Sequence, residues 1–88
     1  MQIEKEQEEQ IVNFGAFQYN NLKMANILNV TEKEVEIEME NKNSLLYNLY
    51  LKGKDRADYV IDLKLFEMAK SGDIKALNKF ENRIFLRK

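Results

Sequence analysis

The chain has 88 residues, 44% of them hydrophobic and 33% charged, with a formal net charge of −1. That length makes one small domain with a modest core, and the composition fits a folded, mostly helical protein rather than a disordered one. Cysteine and histidine are both absent, which excludes a disulfide framework, a thiolate metal site and the commonest general base.

Residues 1–9 are charged and read as frayed or weakly helical. Residues 10–19, QIVNFGAFQY, gather Phe14, Phe17 and Tyr19 around Gly15, which weakens a helix and suggests a bend. Asn20 or Asn21 can cap a short helix through Leu28, with Leu22, Ala25 and Leu28 on one face and Met24 and Ile27 beside them. Asn29-Val30-Thr31 is a tight connection.

The next stretch, TEKEVEIEMEN, has two readings. Glu34-Val35-Glu36-Ile37-Glu38-Met39-Glu40 alternates as a half-buried strand does. Thr31 with Glu34 three residues on is a capping box, which starts a helix. We favour the helix, because the box is specific and no partner strand exists elsewhere. Val35 and Met39 then face the core, and Ile37 is the misfit.

Ser44 can cap a long helix over residues 44–70. Leu46, Leu49, Gly53, Ala57, Val60, Lys64 and Met68 trace a stripe near 3.6-residue spacing, widened by Leu45, Tyr50, Ile61 and Leu65. Gly53 costs about 1 kcal/mol against alanine in a helix interior, and marks either a close backbone approach or a kink. Ser71-Gly72 stops the helix. Asp73 caps a last helix with Ile74, Leu77, Phe80 and Ile84 on one face and Arg83, Arg87 and Lys88 near its negative end. The fold expected is all-α: an N-terminal helix-turn-helix over residues 10–43, then an antiparallel helical hairpin over 44–88, in a single domain.

Charge is uneven along the chain. Residues 1–43 hold four Lys/Arg and nine Asp/Glu, whereas residues 44–88 hold ten and six. Such polarity suits head-to-tail packing of copies or a basic face for an anionic partner, although solvated helix faces produce it too. Lys52, Lys54 and Arg56 form a basic cluster that reads as a solvated face, a phosphate contact or an ion-pair rim between subunits. Asp55, Asp58 and Asp62 can bind a cation, but such spacing more often makes ion pairs along a helix, here Lys54 with Asp58. No serine has a histidine to activate it, and no glycine-rich phosphate loop is present, so no enzyme activity and no cofactor are expected. No apolar run approaches the length of a membrane span, and the acidic start is unlike a signal peptide, so an intracellular protein away from membranes is expected.

Two stretches carry a family resemblance. YLKGKDRADYVIDLKLFEMAKSGDIKALNKFENR, residues 50–83, resembles the C-terminal part of the small subunits of tailed-phage terminases; the turn from Ala69 to Leu77 is its most distinctive part. FGAFQYNNLKMANILNVTEKEVEIEMEN, residues 14–41, resembles the helix-turn-helix of the same group. The resemblance implies a non-catalytic packaging adaptor in the host cytoplasm. Such adaptors form rings in which the helix-turn-helix domains lie outside and the paired helices line the middle, which makes the hairpin of residues 44–88 the oligomerisation part; they bind viral DNA and regulate a large subunit that holds the ATPase and nuclease. DNA contacts are then expected from Lys23, Lys33, Lys42, Lys52, Lys54 and Arg56, mostly to phosphates. Subunit contacts are expected from Leu46, Leu49, Tyr50, Gly53, Ala57, Val60 and Phe80. The second short helix departs from the pattern by being far more acidic than a DNA reader. Two alternatives stand beside this reading. One is a small helix-turn-helix regulator, more often a dimer on a palindromic site. The other is a protein-interaction or inhibitor module that has lost DNA binding and uses its acidic helix.

Overall fold

The computed structural model describes residues 1–87, which form five helices and no strand. They are α1 (Lys5–Phe17), α2 (Asn21–Leu28), α3 (Glu32–Glu40), α4 (Leu45–Lys70) and α5 (Ile74–Arg87). Lys88, grouped above with Arg83 and Arg87, lies outside the described residues. The chain divides into two compact units, Met1–Arg56 and Ala57–Lys88. The division expected near residue 43 therefore falls within α4, because the first part of that helix packs into the N-terminal unit.

The N-terminal unit has one apolar core, in which Ile11, Phe14, Met24, Ala25, Leu28, Val35 and Leu46 are buried. All four of its helical segments contribute. Of residues 1–9, expected frayed or weakly helical, the stretch from Lys5 onward is helical: α1 starts there, with the Glu4 amide donating to Gln7 Oε1 at 2.9 Å. That hydrogen bond satisfies one of the free amides around a helix start. The bend expected at Gly15 is absent, and α1 runs through it to Phe17. Gly15 serves packing instead. A methyl group there would overlap the Tyr50 carbonyl, and one at Gly53 would overlap the Val12 carbonyl. The two glycines lie on facing helices and let the backbones of α1 and α4 meet, so the close-approach reading of Gly53 holds over the kink.

Local capping fixes the other helix starts. Asn20 Oδ1 accepts from the Lys23 amide at 2.9 Å. Thr31 Oγ1 accepts from the Glu34 amide at 3.1 Å, and Glu34 Oε2 accepts from the Thr31 amide at 2.9 Å. Stretch 31–41 is thus the helix its capping box announces. Val35 is fully buried, Met39 packs on the core, and the misfit Ile37 is 55% exposed. Helices α2 and α3 pack on each other across the Asn29–Thr31 turn, where Asn29 takes the left-handed conformation at φ 59°. Ser44 Oγ accepts from the Tyr47 amide and donates to the Glu38 carbonyl, joining the start of α4 to the end of α3.

The second unit is an antiparallel hairpin of residues 57–70 and α5. Gly72 (φ 102°) turns the chain, and Asp73 Oδ1 accepts from the Ala76 amide at 3.0 Å. Phe66 meets Phe80 in a tilted ring contact at 5.5 Å between centroids, and Arg83 reaches back to Asp58 and Asp62. Two apolar stripes depart from expectation here. Val60 is 63% exposed and Lys64 is also exposed, because the second part of α4 packs through Asp62, Leu65 and Ala69 instead. On α5 the buried side chain is Ala76, while Ile74, Leu77 and Ile84 remain exposed. No helix among the described residues is long and apolar enough to cross a membrane.

Candidate nucleic-acid and assembly surfaces

All six cations named for DNA are exposed. The Lys23 ammonium sits 4.3 Å above the Tyr19 ring, a cation–π contact that leaves the charge at the surface. Lys33 pairs with Glu36 at 3.7 Å. Lys42 follows α3, and Lys52, Lys54 and Arg56 lie on α4 beside the buried Gly53. Among the described residues none of these last four makes an ion pair. Helical spacing splits the cluster: Lys52 and Arg56, four apart, share a face, and Lys54 points elsewhere.

The acidity of α3 is partly absorbed within the chain. Glu34 is the capping carboxylate, and the Thr31 backbone amide holds its pKa below the usual carboxylate value. Glu36 pairs with Lys33, and Glu38 lies 4.0 Å from the Met1 amino group. Glu32 and Glu40 have no ion pair among the described residues, and both are exposed, as is Ile37.

Of the residues named for a subunit interface, Leu46 and Gly53 are buried inside the N-terminal unit. Leu49 and Tyr50 pack on its core, and the Tyr50 hydroxyl donates to the Tyr19 carbonyl at 3.1 Å. Burial raises the Tyr50 pKa. All four thus serve the chain's own fold; Leu46 and Gly53 leave no surface for another copy, while Leu49 and Tyr50 stay partly exposed. Ala57 is half-buried, Val60 is exposed, and Phe80 packs against Phe66.

Sequence spacing missed the ion pairs of the hairpin. Arg83 Nε donates to Asp62 Oδ1 at 2.6 Å and its Nη2 to Asp58 Oδ1 at 3.2 Å; Arg87 Nη2 lies 2.6 Å from Asp62 Oδ2. Asp58 and Asp62 therefore pair across the hairpin rather than along α4 with Lys54. The signal was the match of two aspartates four apart with two arginines four apart, once the hairpin register is known. The Arg83 hydrogen bond holds the Asp62 pKa below its ordinary value. Stability from this carboxylate is present above its unfolded pKa of about 3.9 and is lost as pH falls through the lower folded value. Asp62→Asn is accordingly expected to lower the urea midpoint at neutral pH, with the gap to wild type closing in acid. A gap that persists unchanged well below pH ~3 would show that Asp62 acts by packing alone.

Compared with known proteins, the chain matches no family model, no curated protein and no solved structure.

Proposed function

We propose that the chain is a non-catalytic DNA-packaging adaptor of the terminase small-subunit kind. It acts in the host cytoplasm as an oligomer, holds viral DNA chiefly by its phosphates and engages a large terminase subunit. The observation that carries this reading is the set Lys42, Lys52, Lys54 and Arg56, exposed and without ion pairs among the described residues, on a unit built around a two-helix corner. Cations already paired with carboxylates gain little from phosphate, whereas unpaired ones release counterions from the duplex. The acidic α3 argues against base reading by that helix, so phosphate contacts repeated over many copies supply the affinity.

Duplex DNA binding by the full chain is expected to weaken steeply with salt. Replacing Lys52, Lys54 and Arg56 together by glutamine should reduce the log–log salt slope by roughly 0.9 for each phosphate no longer neutralised. Affinity that is absent, or unchanged between low and high salt, sinks the adaptor reading. It would favour the interaction module instead, with the exposed acids Glu32 and Glu40 of α3 toward a partner. A solution mass fixed at two copies, with salt-dependent binding retained, would turn the reading to a dimeric regulator.

A further inference from the structure

The acids of the N-terminal unit are confined. Apart from Asp55 they fall within residues 4–9, around the start of α1, and residues 32–40, which are α3. Residues 10–31 and 41–54 hold no carboxylate and carry Lys23, Lys42, Lys52 and Lys54. The fold brings these two acid-free stretches together. The Tyr50 hydroxyl donates to the Tyr19 carbonyl at 3.1 Å, and Gly15 lies against the Tyr50 carbonyl.

Tyr19 also ties α2 to this junction. Its ring stacks on the buried Phe14 at 5.7 Å between centroids, and the Lys23 ammonium lies 4.3 Å from its centre. That contact positions Lys23 beside the place where the two stretches meet. Helix α2 turns Met24, Ala25 and Leu28 into the core. Leu22, Lys23, Asn26 and Ile27 are exposed, and their spacing makes one outward face. Lys23 and Asn26 supply its hydrogen-bond donors, and both residue types bond phosphate oxygens.

A helix-turn-helix ordinarily sets its second helix against DNA, and here that helix is α3. Charge opposes the arrangement. Glu32 and Glu40 are exposed and without ion pairs among the described residues. A carboxylate beside a phosphate is repelled, whereas a lysine there releases counterions. A polyanion therefore meets attraction along the acid-free stretches and repulsion at α3. We infer that the outward face of α2, through Lys23 and Asn26, lies against the duplex together with the cations of α4, and that α3 is held away from it.

This rests on the DNA-binding part of the proposed function, and the test separates the two. The full chain is titrated with a short duplex of mixed sequence at low and high salt. Asn26→Glu puts a carboxylate on an exposed position of the α2 face and should weaken binding roughly tenfold or more, the effect of a like-charge contact. Lys23→Gln should reduce the log–log salt slope by roughly 0.9, one phosphate contact. Glu40→Gln should leave affinity as it is. Far-ultraviolet circular dichroism checks that each variant is folded, and Lys23→Gln carries the test if Asn26→Glu is not. A folded Asn26→Glu chain that binds like wild type, or an unchanged slope for Lys23→Gln, overturns the inference while the adaptor reading stands. So does tighter binding by Glu40→Gln, which would put α3 against the duplex. A wild-type chain without duplex affinity removes the adaptor reading itself, and this inference with it.

Discussion

Gly53→Ala is expected to destabilise the protein by about 2 kcal/mol, the upper end of the overpacking cost less the helix-propensity gain, although alanine is the better helix former. Propensity alone favours the substitution by about 1 kcal/mol at a helix interior. The opposing effect is steric. The new methyl group would overlap the Val12 carbonyl and press on the Ala16 amide. Both are backbone atoms of α1, so no side-chain rotation can relieve the overlap, and overpacking of this sort costs about 1–3 kcal/mol or more. Gly15→Ala should behave alike, because its methyl group meets the Tyr50 carbonyl. Once one methyl group has pushed the helices apart, the second finds more room. The double variant should therefore lose less than the two single losses added together. Urea denaturation of the three variants, followed by far-ultraviolet circular dichroism, decides the matter. A Gly53→Ala chain more stable than wild type would mean that α1 and α4 do not meet at these glycines.

Leu46→Ala should cost about 2–5 kcal/mol, the range for removing a buried leucine side chain and leaving part of its cavity behind. Leu46 is fully buried among side chains of α1, α2 and α3. Its neighbour Leu45 is 49% exposed, and Leu45→Ala should change stability by no more than about 0.5 kcal/mol, as at an ordinary surface position. The pair is informative because the residues are identical and adjacent. Only their direction from the helix axis separates them, about 100° per residue at 3.6 residues per turn. Equal losses at the two positions would put the wrong face of α4 against the core. A large loss at Leu46 alone would also bind the first part of α4 to the N-terminal unit, as the division after Arg56 requires.

The glycine crossing and the hairpin give the long helix two different tasks. Its first part supplies Leu46 and Gly53 to the core of the N-terminal unit. Its second part supplies Asp58 and Asp62 to α5 and leaves Tyr59, Leu63 and Phe66 exposed. Substitutions in the first part should thus act on the folding of the N-terminal unit.

Local chemistry was legible in the sequence. Thr31 and Glu34, Asn20, Ser44 and Asp73 each cap a helix where the residue type and spacing indicate. A cap bonds within three residues, so nothing beyond that window is needed to read it. The capping box resolved TEKEVEIEMEN as a helix against its strand-like alternation, with Ile37 left facing out. The all-helical class, the order of α2 to α5 and the exposure of the six candidate DNA-contacting cations followed from the same short-range reasoning. What a residue meets across the fold did not follow. Gly15 looked like a bend because its propensity is local, whereas its use depends on Tyr50, thirty-five positions away. The apolar stripe of α5 looked like its packing face, yet Ala76 is the residue the hairpin buries, since a small side chain lets the two helices approach. Asp58 pairs with Arg83 rather than Lys54 because the hairpin brings a guanidinium within reach of two carboxylates at once. By itself the sequence determined where helices start, stop and carry apolar or charged faces. Only the tertiary structure decided which of those faces meet, because that choice depends on backbone approach and register between segments far apart in the chain.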